Sequence, residues 1–133
     1  YSFMVGMIRK SGLSPGFGMI HENHGHHASL ASDLMEEWRP VIVDDLVMTQ
    51  LRKGVFELDD FVTVDHGGVF LKREAQRRFL KALSSRMLEI HAYLEKSQKR
   101  YTFLYMVELQ MEGLVRSFKE KNPDCYPESF TGE

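Results

Sequence analysis

Ser29-Leu30-Ala31-Ser32-Asp33-Leu34-Met35-Glu36-Glu37-Trp38-Arg39-Pro40 sets Leu30, Leu34 and Trp38 four residues apart, and the pattern runs on into Val41 and Ile42. Apolar side chains at three- and four-residue steps share one side of an α-helix, so this stretch predicts an amphipathic helix with a buried stripe. Ser29 is placed to cap it. At about 100° per residue, Asp33, Glu36, Glu37 and Asp44 fall in another sector and form an acidic face. Like charges gathered there repel unless a cation sits among them. Pro40 removes a backbone donor and crowds the preceding turn, which predicts a kink or break just after the acids, with the helix resuming toward Gly54.

Immediately upstream, Gly12-Leu13-Ser14-Pro15-Gly16-Phe17-Gly18 is rich in helix breakers and predicts a loop that delivers His21 ahead of the acidic helix. Residues 1–11 place Phe3, Met4, Met7 and Ile8 near helical spacing, with Gly12 as the stop. Downstream, Phe61-Val62-Thr63-Val64 and Val69-Phe70-Leu71 flank Asp65-His66-Gly67-Gly68, which reads as a short hairpin or equally as an irregular turn. Residues 72–96 form a helix candidate with Phe79, Leu80, Leu83, Met87, Leu88 and Ile90 apolar and a basic start. A last helix over 98–121 carries Phe103, Leu104, Val107, Met111, Leu114, Val115 and Phe118, and ends before Pro123 and Pro127. The fold class is mainly α, a helical bundle with a small β-hairpin insertion.

With 133 residues, 43% hydrophobic and 27% charged, the chain buries one ordinary core. A net charge of −2 argues against a uniformly cationic nucleic-acid binder, but a local basic face is compatible with it. Cys125 is the single cysteine, so no internal disulfide forms, and no apolar run approaches the roughly 20 residues of a membrane span. No membrane association is expected, and the default compartment is cytoplasmic. Tyr1 already lies within an apolar, helix-like stretch, so the natural protein is expected to extend further toward its N-terminus.

An imidazole just ahead of a helix that projects acids at three-residue spacing suits a divalent cation of the Mg or Mn kind. By itself His21 is more often a loop histidine bonded to a carbonyl, and Asp33, Glu36 and Glu37 more often a solvated face. His24, His26 and His27 invite a zinc reading, but their spacing fits no standard finger, and adventitious metal capture is the better account. Lys72, Arg73, Arg77, Arg78 and Lys81 are either a solvated helix end or cations that neutralise DNA phosphate. Trp38 and the Met and Phe stripes are read as core, and Tyr1, Tyr101 and Tyr105 as packing residues, since no arginine-histidine constellation surrounds them.

Read in order, residues 12–22 from Gly12 to His21-Glu22, then Ser29-Leu30 and Asp33-Leu34-Met35-Glu36-Glu37-Trp38-Arg39-Pro40 with Asp44, resemble the C-terminal helical domain of the CRISPR-associated spacer integrase family. Asp60-Phe61, Gly67-Gly68-Val69 with Leu71, Arg78-Phe79-Leu80 and Tyr126-Pro127 follow that family's order of features, so the resemblance covers nearly the whole chain. It implies that residues 1–133 are the C-terminal helical catalytic domain of a longer protein whose N-terminal β-rich domain is absent here and makes the full-length homodimer. It also implies an integrase and endonuclease that, with a second CRISPR adaptation subunit, inserts spacer DNA into the array by 3′-hydroxyl attack on a phosphodiester of double-stranded DNA. By position His21 and Glu36 are the metal ligands for Mg or Mn, and Asp33 is the accompanying acid of the catalytic set. Glu36 stands where other members carry aspartate. A further glutamate ligand has no counterpart in this sequence, and the fragment alone is expected to be inactive or nearly so.

Two other readings stand beside this one. A noncatalytic helical DNA- or protein-binding module would use Arg73, Arg77, Arg78 and Lys81 and keep the acids as surface. A helical phosphohydrolase of small phosphate esters would need a further His-Asp pair, for which His91 with Glu95 is the thin candidate.

Overall fold

Phe103, Met106, Val107, Gln110, Met111 and Leu114 follow one another at three- and four-residue steps and are all buried, which makes helix α5 (Phe103–Glu120) the spine of the molecule. The computed structural model describes residues 1–20, 28–91 and 100–127. Against α5 lie α1 (Ser2–Lys10), which contributes Met4 and Ile8, and α2 (Ser29–Trp38), which contributes Leu30, Ala31, Leu34 and Trp38. Trp38 meets Phe103 edge to face, ring centroids 6.1 Å apart. The mainly α bundle expected from the apolar periodicity is therefore present, with Trp38 at its centre.

Ser29 does not cap α2. It is the first helical residue and is fully buried, and the flanking Ala28 makes no side-chain cap bond. Tertiary partners satisfy the helix start instead: Ala28 N–H donates to the Tyr1 hydroxyl (3.1 Å) and Leu30 N–H to the Pro15 carbonyl (3.0 Å). The glycine-proline loop thus docks on the start of α2 through its own backbone.

Pro40 widens the helix rather than interrupting it. Residues Arg39–Asp44 form a π-helical segment in which the Asp45 N–H reaches back five residues to the Pro40 carbonyl, and α3 (Asp45–Arg52) follows directly. A proline ring collides with the carbonyl four residues earlier, and a local π-turn gives it room. The extra residue also alters the rotation of everything beyond it. Asp44, the last residue of the segment, pairs with Arg39 at 3.4 Å on the exposed surface.

Of the two readings of residues 61–71 the hairpin is the one that forms, β1 (Phe61–Thr63) against β2 (Val69–Leu71), antiparallel with Val62 opposite Phe70. His66 and Gly67 turn it at φ of 81° and 84°; glycine adopts that left-handed region without strain.

The expected helix over 72–96 is shorter. Helix α4 runs Arg73–Met87, and Ile90–His91 (β3) instead pairs antiparallel with Tyr101–Thr102 (β4). The expected residues 92–96 lie outside the described set. Likewise α5 begins at Phe103 rather than near residue 98, because Thr102 caps it by accepting from Tyr105 N–H at 3.2 Å. His91 stacks on Phe103 at 4.4 Å between centroids, a packing gain that local helix propensity does not anticipate.

Arg86 ties these pieces together. Its guanidinium donates to the Val41 carbonyl inside the π-segment (3.0 Å), to Asp45 (2.6 Å) and to Glu89 (2.6 Å), and lies 5.2 Å from the Phe103 ring centroid. Burial alone would raise the Glu89 carboxyl pKa; the bonds from Arg86 and His91 outweigh it and hold the group below the usual carboxylate value.

Candidate functional site

Asp33 is buried on α2, yet it is one of the acids that the helical period assigns to a polar face. Its Oδ2 accepts the backbone N–H of Met19 at 2.5 Å and of Ile20 at 3.0 Å. A carboxylate gripped by two N–H groups makes charge-assisted bonds, roughly twice as strong as neutral ones. The loop carbonyl of Pro15 takes an N–H from α2 while the carboxylate of α2 takes two N–H groups from the loop. These reciprocal bonds fix the residues that lead directly into position 21. His21 itself, with His24, His26 and His27, lies outside the described residues.

One helical turn beyond Asp33, Glu36 is exposed at the rim of a cavity of about 760 Å³. Its walls are largely apolar, from Met19, Ile20, Leu34, Leu114, Phe118 and Pro123, and Asp33, Glu36 and Glu37 all reach it. Lys121, in left-handed backbone at the end of α5, and Asn122 complete the opposite rim. The structure thus brings two expected site residues, Asp33 and Glu36, to one cavity beside the stem of the His21 loop. Carboxylate oxygens with an imidazole make a donor set suited to Mg or Mn. Among the described residues no three or more His, Cys, Asp or Glu side chains gather into a metal-binding group.

A second set of polar contacts at this cavity escaped the reading of the sequence. Glu37 accepts the Tyr126 hydroxyl on Oε2 (2.6 Å) and the Gln110 amide on Oε1 (2.7 Å). Gln110 in turn accepts the Trp38 indole N–H. Burial, then the bond to Glu37 and its charge, push the Tyr126 hydroxyl far above the usual phenol range, so it stays protonated and donates. The signal in the sequence was Gln110, a polar residue at a buried step of an otherwise apolar row, and buried amides need partners. The tail that carries Tyr126 is seated by Gly113. A Cβ there would lie closer to Pro127 Cδ and to the Cys125 carbonyl than any side-chain carbon tolerates.

The basic residues Arg73, Arg77, Arg78 and Lys81 are exposed on α4 and do not line the cavity. Arg77 pairs with Glu74 at 3.1 Å in full solvent, a contact that contributes little. Arg78 is more firmly engaged. It bonds Asp60 at 2.6 Å and lies 5.9 Å from the Phe56 ring centroid. The Asp60 carboxyl is held below its usual value by the Glu57 backbone N–H and by Arg78. His91, one half of the thin phosphohydrolase pair, is occupied by Glu89 (3.2 Å) and by the Phe103 ring, and Glu95 is outside the described residues. No helix among the described residues is long and apolar enough to cross a membrane.

Comparison with known proteins gives a consistent result. Residues 1–85 match the family described as CRISPR associated protein Cas1. A CRISPR-associated endonuclease Cas1 of Mycobacterium tuberculosis is 37% identical over 124 residues, covering 92% of this chain and 37% of that protein. The chain therefore spans somewhat more than a third of the length of this curated relative. Among solved structures, a casposase bound to integration product superposes with a TM-score of 0.79 at 27% identity, over 89% of this chain and 32% of the other. A Cas6-RT-Cas1–Cas2 complex gives 0.77 at 26% identity, over 95% of this chain and 13% of the other.

Proposed function

The chain belongs to the CRISPR-associated Cas1 family, and from that membership we propose that it carries the helical catalytic part of a metal-dependent DNA integrase and endonuclease of CRISPR adaptation. The reaction is attack of a DNA 3′-hydroxyl on a phosphodiester, with double-stranded DNA as substrate and a second adaptation subunit as partner. The full-length protein works as a homodimer. The observation that supports this reading best is the pairing of a pinned loop with an exposed acid: Asp33 holds Met19 and Ile20, and Glu36 faces the same cavity one turn on.

In this reading His21 and Glu36 would hold the cation, Mg or Mn. When bound, such a cation supplies neutralisation of charge on the phosphate oxygens. Asp33 works differently from Glu36. Its carboxylate accepts the backbone N–H groups of Met19 and Ile20, so it fixes the two residues that precede His21 and is the positioning member of the catalytic set. The apolar walls around both acids lower the local polarity, which strengthens the attraction of a carboxylate for any positive charge.

The complete protein, given Mn and a DNA duplex with free 3′ ends, is expected to join those ends to a second duplex and to stop when a chelator is added. Salt-sensitive DNA binding with no joining, indifferent to chelator, would instead favour the noncatalytic binding module.

Arg73, Arg77, Arg78 and Lys81 are proposed as phosphate contacts, with Arg78 the smallest contributor because Asp60 already holds it. Replacing Arg73 and Lys81 together by alanine is expected to flatten the slope of log affinity against log salt by ~1.8, the value for two phosphate contacts on duplex DNA. An unchanged slope in a salt titration would remove this surface from the interface.

A further inference from the structure

Lys121 ends α5 in left-handed backbone, at φ 51° and ψ 37°. That conformation crowds a Cβ against the following carbonyl, and glycine is its usual occupant, with asparagine next. Here the order is inverted, since Asn122 follows in extended backbone at φ −127°. The turn itself serves the fold. It reverses the chain so that the Asn122 N–H donates to the Ser117 carbonyl (3.1 Å) and the tail returns to pack on Gly113. Glycine would make the same turn without the crowding, so the fold accounts for the backbone and not for the lysine.

The cavity accounts for it. Of the described residues that line that space, Lys121 alone carries a positive charge, while Asp33, Glu36 and Glu37 carry negative ones. Its ammonium makes no ion pair or hydrogen bond among the described residues. Glu120, beside it in the chain, accepts the Cys125 thiol at 3.3 Å. Phe118, three residues earlier, lines the same cavity and leaves 53% of its surface in solvent. An ammonium is a point contact for phosphate, and an aromatic face stacks on a nucleobase. A base within a duplex keeps both faces in the stack, so a side chain can stack only on one that is unpaired. We propose that Lys121 and Phe118 are substrate-contacting residues of this cavity, the ammonium meeting a phosphate and the ring the base of one unpaired nucleotide of the DNA. This rests on the reading of DNA as the substrate.

The test is binding of a short single-stranded oligonucleotide to the complete protein, read by fluorescence anisotropy over a salt series, with chelator present so that no strand is joined. Lys121→Gly is expected to flatten the slope of log affinity against log salt by ~0.7, the value for one phosphate contact on a single strand. Its melting temperature should rise by ~1–2 °C, because the crowded turn is relieved. Lys121→Arg keeps the charge and should keep the slope. Phe118→Leu is expected to weaken binding by about fivefold or more at unchanged slope, since it deletes the stacking face and no charge. A lysine that only complements the carbonyl end of α5 predicts the reverse for Lys121→Gly, a lower melting temperature with the slope intact. That pattern, or wild-type affinity in Phe118→Leu, would overturn the proposal. Absence of strand transfer by the wild-type protein would sink the integrase reading instead, and the anisotropy still decides whether Lys121 and Phe118 hold a nucleotide.

Discussion

Glu36→Ala is expected to slow Mn-dependent strand transfer by on the order of 10²–10³, the cost of removing one group that stabilises developing charge. The same change should move the melting temperature by no more than about 2 °C, as for a surface substitution. Glu36 is exposed at the cavity rim, so its removal costs little packing. Large loss of rate with intact folding is the behaviour of a group whose work lies in the reaction. Glu36→Asp keeps both oxygens at a shorter reach and is expected to retain part of the rate. Asp33→Ala supplies the contrast. It strips the acceptor from the Met19 and Ile20 N–H groups, so it should depress both rate and stability. Strand transfer at the wild-type rate in Glu36→Ala would remove Glu36 from the site.

Arg86→Met is expected to destabilise the fold by about 3 kcal/mol, read by urea unfolding of the complete protein. The ion pairs alone do not account for such a figure. Asp45 and Glu89 are each about half exposed (54% and 47%), and pairs of that kind contribute only about 0–1 kcal/mol each. The larger share comes from the Val41 carbonyl, which would lose its donor within the π-segment, and from the Phe103 ring, which would lose the guanidinium on its face. Deleting the side chain also removes Arg86 Nε, which is buried without a partner among the described residues, and this offsets a little of the cost. Asp45→Asn and Glu89→Gln are therefore expected to cost well under half as much as Arg86→Met. The Glu89 contribution has a definite pH sense. Its folded pKa is lowered, so that contribution is full above the unfolded carboxylate value and fades as pH falls through the folded one. Equal losses in all three variants would show that the charges, not the carbonyl and the ring, hold this corner.

Much of the bundle was legible before any coordinates. The apolar steps of α1, α2 and α5, the break after Lys10, the hairpin around Asp65-His66-Gly67-Gly68 and the burial of Trp38 all follow from local periodicity and turn chemistry, which depend on near neighbours in the chain. The misjudged boundaries share one cause. At Ser29 the cap role passed to Tyr1 and Pro15; at Met87 and Thr102 the helices yielded to pairing of Ile90–His91 with Tyr101–Thr102 and to the His91 stack on Phe103. Each partner is distant in sequence, so helix propensity for the segment alone points the wrong way.

The site divides along the same line. Glu36 and Asp33 were visible as a pair at helical spacing, but their different tasks were not, because a pattern of acids cannot show which carboxylate meets a backbone N–H. Glu37, Gln110 and Tyr126 come from α2, α5 and the tail, and only the packed chain makes them one network.

The sequence by itself determined the helical class, the hairpin and the order of features that marks the family, since periodicity and turn residues act over a few positions. Tertiary structure alone decided which donors Asp33 and Glu37 meet, how Pro40 is accommodated by a π-turn capped by Arg86, and how the tail closes over Gly113. Those outcomes turn on hydrogen-bond partners and close contacts between segments up to about ninety residues apart, and a polar group taken from water settles on whichever donor folding brings within reach.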